Sequence, residues 1–154
     1  RFVASVPDDD RRVRPGAFPV HGSCPRLAVL PAMGAGPNQQ FADGFTEELR
    51  AQIGRVSAGD VAVIARSSSL LVGAEPRRAS EIGEALRADY VLEASVRGDG
   101  DRLRITVCLV ETIGETHVWS ETVDYRSATP LTTQVEAAMR LAQSVIDALA
   151  RIRR

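Results

Sequence analysis

Few side chains in this 154-residue chain carry reactive chemistry, and their spacing limits what they could do. His21 and Cys24 stand three apart, Cys108 and His117 nine apart. Neither interval matches a zinc motif, and with His21 in a predicted linker and His117 near a strand start no His-plus-acid general base is suggested. Asp43, Glu47 and Glu48 form a carboxylate cluster of the kind that binds metal or does acid–base work. No histidine or further acid nearby completes it. Gly34-Ala35-Gly36 follows an apolar run as a dinucleotide loop would, but the third glycine is missing and Pro37 intrudes. Arg66-Ser67-Ser68-Ser69 falls at the carboxyl end of a predicted strand, where open α/β sheets bind ligands. The serines could cradle an anion with Arg66, or cap a short turn continuing through Leu70, Leu71 and Val72. Trp119 and Tyr125 could stack a ligand, although aromatics at period two fit a core better. There is no P-loop, nucleophile elbow or metal-binding helix motif. The expectation is an absence on every count: no catalytic, cofactor-binding or metal-ligating residue, no cofactor, and no enzyme.

The totals narrow the classes further. The composition is 44% hydrophobic and 25% charged, ordinary for one globular domain. A formal net charge of -1 argues against a dedicated nucleic-acid binder. Every basic residue is Arg, and there is no Lys. The two cysteines are far apart; a disulfide between them has no support, and Cys108 reads as a small core hydrophobe. No apolar run approaches the ~20 residues a membrane-spanning helix needs. The chain opens at Arg1 without Met, so it is read as beginning inside a longer protein.

The elements that would position these residues centre on Tyr90 to Tyr125. Leu103, Ile105, Val107 and Leu109 alternate with Arg104, Thr106 and Cys108, the period of a strand with one buried face. Tyr90, Leu92, Ala94 and Val96 alternate before them, and Trp119, Val123 and Tyr125 after them. Gly98-Asp99-Gly100-Asp101 has hairpin chemistry, and Gly114 marks a second turn. This predicts a three-strand antiparallel meander.

Ahead of it, Leu27 to Pro31 and Val61 to Ala65 read as strands buried on both faces. Between them, Phe41 to Val56 reads as an amphipathic helix, with Phe41, Phe45, Leu49, Ile53 and Val56 on one stripe and Asn38 as its cap. Asp43, Glu47 and Glu48 then sit in its first turns, where the helix dipole favours acids. The order implies a right-handed parallel crossover. Pro76 to Ala88 is a second helix, its stripe formed by Ala79, Ile82 and Leu86, with Gly83 permitting close approach. Thr129-Pro130 starts a last helix over about Leu131 to Arg151. Its Val135, Ala138, Ala142, Val145, Leu149 and Ile152 follow a heptad spacing, and Met139, Leu141 and Ile146 widen the stripe. It reads as a helix laid on the sheet, with a dimer seam as the alternative. The fold class is therefore α/β (α+β): a mixed sheet of about five strands, a parallel β-α-β-α-β part followed by an antiparallel meander, and a long C-terminal helix.

Arg1 to Arg26 is charged and rich in Pro and Gly. Asp8-Asp9-Asp10 beside Arg11, Arg12 and Arg14 suits a solvated linker better than a phosphate site.

One ordered set of segments resembles a known family. It runs through Leu27-Ala28-Val29-Leu30-Pro31, Phe41-Ala42-Asp43-Gly44-Phe45-Thr46-Glu47-Glu48-Leu49 and Val63-Ile64-Ala65-Arg66-Ser67-Ser68-Ser69. It continues through Glu81-Ile82-Gly83, Ala88-Asp89-Tyr90-Val91-Leu92-Glu93-Ala94-Ser95-Val96-Arg97 and Val118-Trp119-Ser120-Glu121. Together these resemble the TolB-like amino-terminal domain, found in bacterial winged-helix regulators and class III adenylate cyclases with tetratricopeptide repeats. The Met33 to Gln39 loop is shorter than the family's. Arg1-Phe2-Val3-Ala4 is similar to the last strand of an OmpR-type winged helix.

The resemblance implies a division into 1–5 as the tail of an upstream domain, 6–25 as linker and 26–152 as the TolB-like domain. It implies a non-catalytic sensor or interaction domain of a transcriptional regulator, relaying a ligand, a partner or dimerisation to the DNA-binding part. The alternative it allows is an accessory regulatory domain of a class III adenylate cyclase. A protein partner or a homodimer is expected, through the last helix or a meander edge. DNA would be reached only through the upstream domain. No membrane segment separates the two parts, so both would lie in the cytoplasm.

Overall fold

A computed structural model describes residues 24–65, 68–69, 77–126 and 130–153. The tail over 1–5, the linker up to residue 23, Arg66, Ser67, Pro76 and Thr129 lie outside the described residues. The elements follow in the order β1 (Arg26–Val29), α1 (Pro37–Val56), β2 (Ala62–Val63), α2 (Ala79–Leu86), β3 (Tyr90–Asp99), β4 (Arg102–Glu111), β5 (Thr116–Arg126) and α3 (Pro130–Ile152). The strands form one mixed sheet in the order β2-β1-β3-β4-β5. β1 is parallel to both β2 and β3, and the meander is antiparallel. The fold class anticipated from the sequence is the one observed.

The meander keeps its predicted phase. Leu103, Ile105, Val107 and Leu109 are buried on the face toward the helices, opposite Tyr125, Val123, Glu121 and Trp119 of β5. A register shift between Leu109 and Val110 realigns the base of β5. On that face α1 contributes Phe41, Phe45, Leu49 and Ile53 to the core, and α3 contributes Ala137, Ala138, Leu141, Ala142, Val145 and Leu149. Burying each large apolar side chain of this set contributes about 1.5–3 kcal/mol relative to exposure. The opposite face carries a smaller cluster, in which Ile82 of α2 meets Ala28, Ile64, Ala88 and Val91.

The structure corrects several local expectations. The run Val61 to Ala65 pairs only over Ala62 and Val63, both half-buried, because β2 is an edge of the sheet. Helix α1 starts at Pro37, with Gly36 as its N-cap at φ 57° and no side-chain cap. Asn38 is therefore inside the first turn, and Asp43, Glu47 and Glu48 lie beyond it, too far along for the N-terminal dipole to stabilise them. The heptad seam of α3 faces inward: Ala138, Ala142, Val145 and Leu149 are fully buried beside α1. Small residues there let two helices approach closely, and they are not free to bind a second copy. Met139, expected on the same stripe, is exposed. Cys108 is half-buried on the face away from the main core, and both cysteines are free.

Candidate interaction surface

The carboxyl end of the parallel strands is the first place a ligand site would be sought. After β1 the chain stays beside β3: the Leu30 amide donates to Leu92 O at 3.0 Å, the Met33 amide to Ala94 O at 2.9 Å, and the Val96 amide to Met33 O at 2.7 Å. Thr46 Oγ1 accepts from the Ala32 amide at 2.8 Å and donates to Ala42 O at 2.8 Å. Gln39 accepts from the Gly34 amide at 3.0 Å and donates to Asp43 at 2.8 Å. A Cβ at Gly34 would stand 2.6 Å from Asn38 O, so the loop folds back on the helix it precedes. Pro37 has no amide, and those of Asn38 and Gln39 donate to Ala35 O and Gly36 O at 3.1 Å each. The helix N-terminus thus has few amides left to cradle a phosphate, and the paired glycines of the sequence serve a closed turn.

The remaining chemical candidates also resolve into structural roles. Asp43 is held by Gln39, Glu47 pairs with Arg50 at 3.2 Å, and Glu48 accepts from Gln52 at 3.1 Å. Among the described residues no group of three acids, histidines or cysteines could hold a metal. His21 lies outside those residues, and His117 is exposed opposite Val110. Of the serine run, Ser69 is fully buried; its amide donates to Ala65 O at 3.0 Å and its hydroxyl has no partner among the described residues. Trp119 and Tyr125 pack against the core, facing the helices. An open hollow of about 660 Å³ beneath the sheet is bordered by Cys24, Asp60, Val61, Ile146 and Arg153. It brings together one thiol, one carboxylate and one guanidinium.

What the fold exposes instead is a sheet face. The side of the meander away from α1 and α3 presents successive cross-strand rows. Glu93, Cys108 and Ser120 form one; Ser95, Thr106 and Thr122 the next; then Arg97, Arg104 and Asp124; then Asp99, Arg102 and Arg126. Thr106 and Thr122 share a hydrogen bond at 3.1 Å. Arg104 grips Asp124 with two bonds, at 2.8 and 3.0 Å, which holds the Asp124 carboxyl below the usual range. Burial, with Glu93 beside it, pushes the Cys108 thiol up, the opposite of an activated nucleophile.

Helix α2 covers only the far corner of this face, and the β4–β5 turn fixes it there. Glu115, at φ 53°, accepts from Arg78 at 2.8 and 3.0 Å and from the Ser80 hydroxyl at 2.6 Å. Hydrogen bonds from Arg78 and Ser80 draw the Glu115 carboxyl down to about 2. It also accepts the Ser80 amide at 3.4 Å, supplying from another element the cap that Arg78, at the N-cap position, does not provide. At the other end, Arg26 donates to Arg87 O at 2.7 Å and Leu86 O at 3.2 Å. Thr112 Oγ1 donates to Ala88 O at 2.7 Å, and a Cβ at Gly83 would lie 2.6 Å from Thr112 Cβ. The close approach expected at Gly83 is real, and its neighbour is this turn.

Two features escaped sequence reasoning. Glu121 sits on the helix-facing side opposite Val107, with one carboxylate oxygen buried and unpartnered. The phase of the strand would have placed it there. The doubled arginine rows were also legible only once the register of the three strands was known.

No known family model matches the chain. Over 103 residues it is 36% identical to a protein of Rhizobium meliloti (strain 1021) named "Putative adenylate cyclase 3". That stretch is 65% of this chain and 17% of that protein, so the chain spans a small part of its curated relative. Among solved structures, lipoprotein GNA1162 from Neisseria meningitidis superposes with a TM-score of 0.57 at 17% identity, over 77% of this chain and 96% of that one. TolB from Acinetobacter baumannii matches with a TM-score of 0.51 at 12% identity, over 79% of this chain and 29% of that one. At these identities the likeness is one of fold alone.

Proposed function

We propose that this domain is a non-catalytic interaction module of a larger bacterial signalling protein, and that it docks a protein segment on the open face of β3, β4 and β5. One observation carries the reading: two helices close one face of the sheet, while on the other α2 covers a corner and leaves the meander rows uncovered among the described residues. An antiparallel sheet tolerates such a face, so it can serve binding without disturbing the core. The closed β1–α1 loop and the committed carboxylates support a non-catalytic role.

Two parents are consistent with this role. The identity to the Rhizobium protein named "Putative adenylate cyclase 3" favours a cyclase parent, with this domain as a regulatory accessory. Arg1-Phe2-Val3-Ala4 supports a winged-helix transcriptional regulator, with this domain relaying a partner or dimerisation to the DNA-binding part. A cytoplasmic location, on the same side as the part that acts on ATP or DNA, belongs to the same proposal.

The test replaces Ser120 and Thr122 by Arg in the full-length parent and reads its output, cyclic AMP or transcription from its target promoter. The expected result is altered output with an unchanged melting temperature of the domain. Unaltered output from a folded variant would count against the reading, as would nucleotide turnover by the domain alone.

A further inference from the structure

Resting on that reading, we infer that the segment docking on the open face is an acidic protein segment, held by carboxylates on the arginine rows at the hairpin end of the meander. The register sets Arg97 directly across from Arg104, and Arg102 directly across from Arg126. Like charges directly opposite on a sheet are destabilising, so two such pairs in adjacent rows are a local cost with no role in the core. All four side chains are exposed.

Their counter-charges fall short. Asp124 is engaged by Arg104, and Asp99 stands across from Arg102, with Asp101 in the adjoining turn. Arg97 and Arg126 have no hydrogen bond or ion pair among the described residues. A chain of net charge -1 does not concentrate guanidinium groups here by composition alone.

The face also indicates what anion fits. Arg104 already holds a carboxylate in the two-bond geometry, and Arg97 and Arg126 can offer an incoming Asp or Glu the same fork. A nucleic-acid backbone or an anionic bilayer spans more than two rows. It would meet Asp124 within the patch and Glu93 two rows below, whereas a peptide can vary its charge row by row. Side chains on an extended segment repeat every second residue, matching the row spacing.

The experiment uses the full chain and a fluorescein-labelled synthetic peptide of alternating glutamate and threonine, followed by anisotropy at low and at physiological salt. The expected result is binding that weakens with salt and falls about tenfold or more in Arg97→Glu/Arg126→Glu, because attraction becomes repulsion at two contacts. Arg140→Glu, exposed on α3, should bind as the parent chain does. Arg97→Gln/Arg126→Gln, with its circular dichroism compared to the parent chain, guards against a folding defect in the reversed variant. Equal binding by all variants overturns the inference, as does stronger competition by duplex DNA or phosphatidylserine vesicles than by unlabelled peptide. Face-specific binding of a lysine–threonine peptide instead overturns the acidic assignment while leaving the interaction module in place.

Discussion

Ala142→Glu is the substitution that most sharply separates an inward-facing α3 from a helix seam awaiting a second copy. Ala142 is fully buried in the cluster formed by α1, α3 and the sheet, and its neighbours there are apolar. A carboxylate placed at this position has no cation in the cluster to pair with. Burial of that depth raises a carboxyl pKa by about 3–5 units, which at pH 7 costs about 3–4 kcal/mol, because protonation caps the penalty at the gap between pH 7 and the ordinary value of about 4.3. Overpacking adds about 1–3 kcal/mol. A domain of this size has a total stability of about 5–15 kcal/mol, so the variant should lose a large part of its stability at pH 7, with a strongly lowered urea midpoint. The sign of the pH dependence follows from the raised folded-state pKa. The deficit is smallest below the ordinary carboxylate range, where both states are neutral, and it grows as pH rises above that range. Urea unfolding followed by circular dichroism, with sedimentation velocity alongside, reads both stability and association. A folded variant with a near-parental urea midpoint would refute the packing of α3 described above.

Three further outcomes follow from the corner around α2 and from the open face. Glu115→Gln should lower the urea midpoint at pH 7. In the parent chain the contribution of Glu115 should be fully present above its ordinary value of 4.5 and fade as pH falls toward about 2, which midpoints measured across that window would show. Gly83→Ala gains about 1 kcal/mol of helix propensity but must displace Thr112 from a buried hydrogen bond, so a net loss of about 1–3 kcal/mol is expected in thermal melts; a stabilised variant would contradict the close approach. Cys108 should be alkylated more slowly than Cys24 at neutral pH, since its thiol is half-buried and its ionisation is disfavoured, and mass spectrometry of iodoacetamide-treated protein would show the reverse if the face were built around a reactive thiol.

Much of the fold was legible because its strongest pattern is local. Leu103 to Leu109 alternate without a break, the turns at Gly100–Asp101 and Gly114 carry their own chemistry, and Pro130 is the first residue of α3. What failed depended on partners distant in sequence. The apolar run Val61 to Ala65 cannot say that its strand is an edge, and its apolar length exceeds the two half-buried residues that pair. Asn38 has the chemistry of a cap, but Gly36 takes that position because Pro37 is preformed for the first helical residue. The heptad spacing of Ala138, Ala142, Val145 and Leu149 is the same whether the facing helix belongs to this chain or another; the structure identifies it as α1. The candidate surface was half visible. The polar phase of each strand was plain from the sequence, while the lack of a covering element among the described residues and the pairing of arginines across strands required the register.

The most direct test of the central claim is site-specific photocrosslinking in the full-length parent, with a benzophenone amino acid at Thr122 on the open sheet face and, separately, at Arg140 on the exposed side of α3. A discrete crosslink from position 122 to a mapped protein segment, lost when Arg97 and Arg126 are reversed and absent from position 140, is the predicted result. Crosslinks that arise from position 140 and not from 122 would contradict it.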